Sequence, residues 1–303
     1  MLRLAVTTAA ETLDRIRGPL AERGIDARHL RAKQRSIRVS GDGRNRNGDG
    51  SPKADIGGNE PFDVGFVYPP RLMEGAAIDA RLSLPWVNGR DAVVVSRNKA
   101  GVIATLDETG LPVPRTTMIS NPVDATVVTD AVADFSFPVV IKPNSTTRGI
   151  GVAKAADRDS LSGVVDYLNL VHDYRATGDK SYLIQEFLPG ARDYRAMVVD
   201  GEYVGAVRRE LPDDALAEGR WKHNVHRGAA ATEVALDDDA RDLAERTAAA
   251  LDIDYLGVDL LETDDRLVVN ETNARPTVDD ATKYEPNFYD RLAALIKRTA
   301  AES

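Results

Sequence analysis

The sequence predicts an α/β (α+β) protein with a small parallel α/β domain at residues 1–95 and a larger domain at residues 96–303. Three observations predict this class. The chain has 303 residues, which is enough for two domains. Apolar strand-like runs alternate with helical patterns in the first third, as they do around a parallel sheet. Beyond residue 95, successive strand-like runs are separated by short turns, which indicates antiparallel hairpins.

The first 35 residues read as strand, helix, strand. Leu13, Ile16 and Leu20 recur at helical spacing, and Gly24 ends that helix. The run from Phe62 to Tyr68 predicts the next strand, and Val93 to Val95 form another short apolar run. These runs predict the parallel α/β domain.

The polar segment 36–61 interrupts this domain. Its glycine, aspartate and asparagine residues cannot bury apolar surface, so we expect a flexible insertion. A partner-binding arm is the alternative.

The larger domain shows a different order of elements. Its predicted elements are a helix at 98–109, strands at 137–143 and 181–187, a hairpin at 194–208 around Asp200-Gly201, a helix at 237–251, a second hairpin at 255–272 and a last helix opened by Pro286. The acidic first turn of the 237–251 helix suits the helix dipole.

Composition excludes several classes of function. The 48 acidic residues outnumber the 39 basic ones, giving a net charge of −9, which argues against nucleic acid as a partner. Without cysteine the chain has no disulfide, thiolate metal site or cysteine nucleophile. No apolar run is long enough to span a membrane, and no signal peptide opens the chain, so we expect a cytoplasmic protein. The acidity favours adaptation to high salt (a halophilic protein), while GC-rich codon usage is the alternative reason for its many arginines.

The second hairpin carries the strongest chemical signal. Glu271 and Asn273 share one face of their strand because alternate side chains point the same way. If the turn is a three-residue loop centred on Asp265, Asp259 lies opposite Glu271. Two facing carboxylates in an apolar setting need a cation, and hard oxygen ligands suit magnesium. We therefore predict a metal site at Asp259, Glu271 and Asn273, with solvent-facing side chains as the alternative.

Lys142 and the glycine-rich loop after it indicate an anion. Lys142 ends the apolar run 139–141, where a charged lysine is costly unless it meets a phosphate or reaches solvent. Gly149 and Gly151 allow a close backbone approach to phosphate oxygens, although an ordinary hairpin turn explains them equally well.

Two further segments favour a nucleotide. The strand end Gln185, Glu186, Phe187 and Leu188 offers backbone groups and apolar side chains to an adenine ring, and Asp193 offers a carboxylate to ribose hydroxyls. A strand-to-loop exit without a ligand is the alternative. The basic stretch 221–228 predicts an anionic ligand nearby, with a solvated loop as the alternative.

Taken together and in this order, these pieces resemble the ATP-grasp superfamily, and within it the RimK-type α-L-glutamate ligases. The resemblance covers residues 96–303 and rests on six segments. These are the Lys142 strand, Arg148-Gly149-Ile150-Gly151, Gln185-Glu186-Phe187, Asn224-Val225-His226-Arg227-Gly228, Gly257-Val258-Asp259 and Glu271-Thr272-Asn273. It implies a pre-ATP-grasp domain at 1–95, a central lid lobe at 96–185 and a C-terminal metal-binding lobe at 186–303.

The resemblance also implies roles for single residues. Lys142 and Lys99 would contact ATP phosphates, and Gly149 and Gly151 would lie in a lid over them. The nucleotide would further meet Gln185, Glu186, Phe187, Leu188, Asp193, Lys222, His223 and Asn224. Asp259, Glu271 and Asn273 would hold magnesium or manganese, with two ions expected. The sequence departs from the family after Asn273, where Ala274-Arg275-Pro276 replaces a small turn containing glycine.

The implied function is a carbon–nitrogen ligase that joins glutamate, or another amino acid, to a carboxylate acceptor through an acyl phosphate. A tetrahedral oxyanion would need a donor, and Arg208, Arg227 and Arg275 are the candidates for that role or for binding substrate carboxylates. The acceptor is a protein C-terminus, a coenzyme tail or a carrier protein. An ATP-binding sensor without turnover and a calcium-stabilised hairpin are the rivals, and a homo-oligomer is expected by analogy alone.

Overall fold

The computed structural model describes residues 1–8, 11–34, 36–37, 62–146, 149–172, 179–223, 225 and 228–302. Almost all of the predicted insertion at 36–61 lies outside the described residues. No helix in the described ranges is long and apolar enough to cross a membrane.

A four-stranded parallel sheet forms the N-terminal part, as predicted. Its elements are β1 (Leu2–Val6), α1 (Glu11–Glu22), β2 (Ile25–His29), β3 (Val64–Phe66), α2 (Leu72–Leu82), β4 (Trp86–Val87) and α3 (Arg90–Arg97). The strand order is β2-β1-β3-β4. The apolar run at Val93–Val95 lies in α3 and not in a strand. Only Val93 faces the core, while Val94 and Val95 are 38% and 39% exposed, which is the one-sided burial of a surface helix.

A second, antiparallel sheet lies in the middle of the chain. This region contains α4 (Lys99–Glu108), β5 (Thr116–Ser120), α5 (Ala125–Ala131), β6 (Val139–Pro143), β7 (Ala153–Ala155), α6 (Arg158–His172) and β8 (Ser181–Glu186). The strand order is β5-β8-β6-β7. Helices α5 and α6 cover one face of the sheet with a small apolar core.

The third sheet is antiparallel and carries most of the candidate site. Its region contains β9 (Arg192–Val199), β10 (Glu202–Glu210), α7 (Asp213–Ala217), β11 (Ala230–Val234), α8 (Asp238–Leu251), β12 (Tyr255–Glu262), β13 (Leu267–Asn273) and α9 (Phe288–Ala301). The strand order is β11-β10-β9-β12-β13. Asp237 caps α8 by accepting a hydrogen bond from the Ala240 amide at 2.9 Å, and both predicted hairpins are confirmed.

Helices from distant parts of the chain cover these sheets. The C-terminal helix α9 buries Leu292, Leu295 and Ile296 against the N-terminal sheet and against β9 and β12 in one core. It begins at Phe288, two residues after the predicted Pro286. Helix α4 packs with α8 on the third sheet. The α8 side of that sheet is therefore apolar, and its polar residues collect on the opposite face. The proposed domain boundaries stay a prediction.

Gly205 marks an irregularity that shifts the register of β9 and β10. Tyr203 pairs with Val198, but Gly205 pairs with Met197, so Val204 is an extra residue in the ladder. Gly205 has a φ of 142°, and a Cβ built on it would lie 2.6 Å from the carbonyl oxygen of Lys283. Only glycine fits this backbone position.

We expect Gly205→Val to lower the free energy of unfolding by at least about 2 kcal/mol, because it adds backbone strain to a clash with main-chain atoms. Urea unfolding measures this loss. Gly163→Ala in α6 is the matched control, since a Cβ there meets no atom within 4 Å. The control is expected to be stabilising by about 0.5–1 kcal/mol. Equal stability of the two variants would contradict the strain argument.

Candidate functional site: the polar face of the third sheet

One face of the third sheet gathers charged side chains from four strands. Asp259 pairs with Glu271 on one side and with Arg195 on the other, so all three side chains share this face. Asp193 lies two residues before Arg195, and Arg209 pairs with Asp193 across β9 and β10. We call these five residues the polar face. The predicted pairing of Asp259 with Glu271 is thereby confirmed.

The turn that leads to this pairing differs from the prediction. Glu262 pairs with Leu267, so the loop has four residues and not three. A bulge at Asn270 compensates, because Leu260 pairs with Val269 while Asp259 pairs with Glu271. In a regular strand Val269 and Glu271, which are two residues apart, would point to the same face. Because of the bulge, Val269 points into the core and Glu271 lies on the polar face.

Asp259 is buried and held by two arginines. Its carboxylate accepts two hydrogen bonds from Arg195, at 2.7 Å and 2.8 Å, and lies 3.1 Å from Nη2 of Arg209. Burial alone would raise the pKa of Asp259, but the two guanidinium groups outweigh it and lower the pKa to about 2. Asp259 is therefore ionised at neutral pH, in a fixed orientation.

Arg209 is shared between two buried carboxylates. Its Nε donates to Oδ1 of Asp193 at 2.8 Å, and its Nη2 contacts both Asp193 and Asp259. Burial raises the pKa of Asp193 to about 6, because it and the nearby charge of Asp259 together outweigh Arg209. Removing Arg209 would thus leave two acidic groups facing each other in a dry part of the fold.

Two buried lysines reach the same end of the polar face. Nζ of Lys99 lies 3.3 Å from Oε1 of Glu271 and also donates to the carbonyl of Thr146. Nζ of Lys142 lies 3.4 Å from Oδ1 of Asn270 and 3.5 Å from its carbonyl oxygen. Lys99 is 6% exposed and Lys142 is 4% exposed.

The charged form of Lys142 is disfavoured by its burial. Burial lowers the pKa of Lys142 to about 8, although Glu271 opposes that shift. Its two contacts with Asn270 are long and come from a neutral side chain and a carbonyl group. An anion placed between Lys142 and Lys99 would meet two desolvated positive charges, which is what a phosphate group needs.

The donor atoms at this end fit a hard divalent cation. Asp259 and Glu271 face each other, and Asn273 lies on the same face as Glu271, so the three offer carboxylate and amide oxygens. Oδ2 of Asp259 contacts both Arg195 and Arg209, whereas Oδ1 of Asp259 and Oε1 of Glu271 each have a second lone pair beyond their arginine or lysine contact. In the part of the chain that the structure describes, no cluster of three or more histidine, cysteine, aspartate or glutamate residues forms a site of protein ligands alone. A magnesium ion here would thus need other ligands, such as phosphate oxygens and water.

A comparison with known families bears on this arrangement. The RimK-like ATP-grasp domain matches residues 96–295, which is more than half of the chain. The chain belongs to the RimK-like ATP-grasp family. This membership confirms the fold expected from the resemblance and makes the chain a ligase of that family.

Two relatives show the degree of similarity. The chain is 32% identical over 219 residues to a probable α-L-glutamate ligase of Aliivibrio fischeri, covering 71% of this chain and 68% of the relative. It is 30% identical over 199 residues to a ribosomal protein bS6–L-glutamate ligase of Escherichia coli O139:H28, covering 65% of this chain and 62% of the relative. The chain thus spans less than two thirds of the second relative.

Solved structures extend the likeness in fold to the whole chain. A D-alanine–D-alanine ligase from Bacillus anthracis complexed with ATP superimposes with a TM-score of 0.65 and 16% identity, covering 100% of this chain and 98% of the other. At this identity the likeness concerns the fold.

The glycine-rich loop of this RimK-like chain connects β6 to β7. Gly149 and Gly151 have φ values of 65° and 76°, and Oγ1 of Thr146 donates to the carbonyl of Ile150 at 2.9 Å. A Cβ on Gly151 would lie 2.8 Å from Pro143. The loop is a hairpin connection, and its role over phosphates stays a prediction.

An aromatic cluster lies beyond the end of β8. The rings of Phe187 and Trp221 meet edge to face at 5.8 Å, and Nζ of Lys154 lies 4.7 Å from the centre of the Phe187 ring. Lys222 lies 5.4 Å from the Trp221 ring and donates to the carbonyl of Val152. Aromatic faces of this kind suit a purine ring.

The other residues predicted for adenine have varied surroundings. Glu186 accepts a hydrogen bond from the Arg115 amide at 2.7 Å and pairs with Arg266 at 2.6 Å. Gln185 is buried and donates to Oγ1 of Thr116 at 2.9 Å, which indicates a structural contact for its side chain. Leu188 is half-buried.

Two of the residues predicted to bind the nucleotide, Asp193 and His223, contact Arg209. Oδ1 of Asp193 accepts a hydrogen bond from Nε of Arg209 at 2.8 Å, and its role toward the ribose stays a prediction. Nδ1 of His223 lies 2.9 Å from the carbonyl oxygen of Arg209. Asn224 lies outside the described residues.

Of the three candidate oxyanion donors, the two in the described part of the chain, Arg208 and Arg275, are not brought together. Arg208 points to the face opposite Arg209 and pairs with Glu210 at 2.8 Å, away from Asp259. Arg275 follows β13, and its amide donates to Oδ1 of Asn273 at 2.9 Å. Arg227 lies outside the described residues.

The sequence reasoning missed Arg195, Arg209 and Asn270. Arg195 was detectable, because it alternates with Asp193 on one strand face. Arg209 was not, because an ideal two-residue turn at Asp200-Gly201 places Arg208 opposite Asp193. The bulge at Val204 moves Arg209 into that position.

Proposed function

We propose that this protein adds glutamate, or a related amino acid, to a carboxylate acceptor at the expense of ATP. Membership of the RimK-like ATP-grasp family supports ATP-dependent joining of a carboxylate to an amine. Relatives at about 30% identity carry the name of glutamate ligases, which supports glutamate as the amine. One relative is named for a protein acceptor, which supports a protein or peptide carboxylate over a coenzyme tail.

The observation that carries the proposal is the pair of buried lysines beside the polar face. Lys99 and Lys142 come from different elements, yet both reach the end of β13 that bears Glu271. A fold has no structural need for two desolvated ammonium groups so close to each other. They fit the β- and γ-phosphates of a nucleotide whose magnesium ion would be held by Asp259, Glu271 and Asn273.

The reaction would proceed in two steps. An oxygen of the acceptor carboxylate attacks the γ-phosphorus of ATP, which forms an acyl phosphate and releases ADP. The amine then attacks the acyl carbon, phosphate leaves with the bonding electrons, and the nitrogen loses a proton. Lys99 and Lys142 would neutralise charge on the transferring group, and magnesium would supply further positive charge.

Arg195 and Arg209 would act on this reaction through other residues. Arg195 fixes both oxygens of Asp259, so the carboxylate presents a defined edge toward Glu271. Arg209 fixes Asp193 and restrains Asp259 from the opposite side. Partners of this kind orient metal ligands, and their loss commonly weakens metal affinity by about 10–100-fold.

The test is ADP release from purified protein with MgATP, L-glutamate and a pool of peptides and coenzymes that end in carboxylates, in low and high salt. We expect release to depend on glutamate and one acceptor, and mass spectrometry to show that acceptor gaining one glutamyl residue. Glu271→Gln is expected to reduce the rate at least about a hundredfold. Glu108→Gln, at the exposed end of α4, is the matched control and should keep the wild-type rate.

ATP binding without glutamate-dependent release across the pool would count against the ligase proposal and favour a nucleotide sensor. Release that persists in Glu271→Gln would count against the assigned metal site. Transfer of an amino acid other than glutamate would retain the ligase and correct its amine substrate.

A further inference from the structure

Two arginines reach the carboxyl edge of the N-terminal parallel sheet. Nη2 of Arg275 donates to the hydroxyl oxygens of Thr7 and Thr8, both at 3.3 Å, in the loop that follows β1. Nη2 of Arg97 donates to the carbonyl of Pro70 at 2.9 Å, after β3. Strands β1 and β3 are parallel neighbours, so both loops leave the same edge of the sheet. Ligands of open α/β sheets bind in the crevice outside this edge.

Neither guanidinium group has an acidic partner in the described part of the chain. Their side-chain contacts are hydroxyl and carbonyl oxygens, and Nε of Arg275 is buried without a hydrogen-bond partner. The two β1–α1 loop residues outside the described ranges, 9 and 10, are alanines and bring no carboxylate. A buried donor left unsatisfied is costly, so the group is arranged for an acceptor that arrives with a ligand.

Arg275 is also tied to the candidate metal site. Its amide donates to Oδ1 of Asn273, and the chain then turns toward the N-terminal sheet. The guanidinium group thus lies between the nucleotide end of the third sheet and the crevice of the first. A substrate that reacts at the phosphates and extends into this crevice would pass Arg275.

We propose that Arg275, assisted by Arg97, holds a carboxylate of the substrate that does not react. This inference rests on the proposed ligase function and gives it a specificity determinant. A planar guanidinium group binds a carboxylate through two parallel hydrogen bonds, whereas the point charges of Lys99 and Lys142 suit phosphates. The carboxylate belongs either to the amino-acid substrate or to an acidic acceptor. Both sources share one chemistry, and binding measurements separate them.

The test is calorimetric binding to the full chain in the presence of magnesium and a non-hydrolysable ATP analogue. The probes are L-glutamate with L-glutamine as its neutral counterpart, and a peptide ending in two glutamates with its glutamine counterpart. We expect the wild-type protein to bind one acidic probe at least about tenfold more tightly than its neutral counterpart. Arg275→Gln is expected to abolish this preference, and Arg275→Lys to keep part of it.

The source of the carboxylate is identified by the acidic probe that wild type binds more tightly than its neutral counterpart and that Arg275→Gln does not. Preference for free glutamate indicates the amino-acid substrate, and preference for the acidic peptide indicates the acceptor. Arg246→Gln is the matched control, because Arg246 is an exposed arginine of α8 whose one ion-pair partner among the described residues is Asp242. Binding of the ATP analogue by each variant shows that it is folded.

An unchanged preference in Arg275→Gln, or a wild-type protein that prefers neither acidic probe, would overturn the inference. Either result is separable from failure of the proposed function. A protein that ligates glutamate with unaltered preference in Arg275→Gln keeps the function and loses this site. One that binds an acidic probe through Arg275 but never releases ADP keeps the site and loses the function.

Discussion

Arg209→Gln is expected to lower the free energy of unfolding by about 3–5 kcal/mol at pH 7, the usual cost of removing one partner from a buried ion pair. Arg209 is 7% exposed and contacts both Asp193 and Asp259, and Asp259 retains Arg195 in the variant. Asp193 would remain buried with no described cation bonded to it. Urea unfolding of the variant and of wild type measures the loss.

A double-mutant cycle assigns this loss to the carboxylate. Asp193→Asn in the Arg209→Gln background removes the unpaired charge, so we expect it to restore part of the lost stability. Arg246→Gln provides the control for replacing an exposed arginine. Loss of Arg209 would raise the pKa of Asp193 above its present value of about 6.

The pH dependence of Arg209→Gln follows from that shift. A carboxyl group whose pKa is raised by folding binds a proton more readily in the folded state, so its stability cost appears as pH rises above the unfolded value. The deficit of the variant is therefore expected to be smaller at pH 5 than at pH 7. A loss below about 1 kcal/mol, or a deficit independent of pH, would contradict the role assigned to Arg209.

Much of the fold was predictable from local patterns. Apolar periodicity located β1, α1 and β2, and the Asp200-Gly201 turn located the first hairpin, because both turn residues adopt positive φ values of 57° and 77°. The run at 93–95 was misassigned, since three consecutive valines fit a strand and a helix equally well. Flanking residues alone did not decide between these alternatives.

The site was predictable where it depends on alternation along one strand. Glu271 and Asn273 follow that rule, and Asp259 was assigned the correct partner from an incorrect turn. The four-residue loop shifts the register of the two strands by one residue, and the bulge at Asn270 shifts it back. The predicted pairing of Asp259 with Glu271 is therefore correct. The bulge at Val204 has no such compensation. It exchanges the faces of Arg208 and Arg209, which simple alternation from the turn cannot reveal.

Lys142 is expected to lower the stability of the folded protein while it supports the reaction. Lys142→Met is expected to raise the free energy of unfolding of the nucleotide-free protein at pH 7 while it reduces ADP release at least about a hundredfold. Methionine fills a similar volume without a charge to desolvate. Burial lowers the pKa of Lys142 from its ordinary value of 10.5 to about 8 in the folded protein. This difference corresponds to about 3 kcal/mol against the folded state when the group is charged in both states.

The sign of the pH effect tests this account of Lys142. Between pH 8 and pH 10.5 the unfolded chain binds the proton and the folded chain does not, so wild-type stability rises with pH relative to the variant. The advantage of Lys142→Met should thus shrink from about 3 kcal/mol at pH 7 to about 1 kcal/mol near pH 9.5. Urea unfolding at the two pH values measures it, and Lys297→Met on the exposed side of α9 is the control. A Lys142→Met variant that is less stable than wild type at pH 7 yet fully active would contradict both the burial cost and the phosphate role. That result is expected if Lys142 serves only in packing, because its replacement would then reduce stability and leave turnover unchanged.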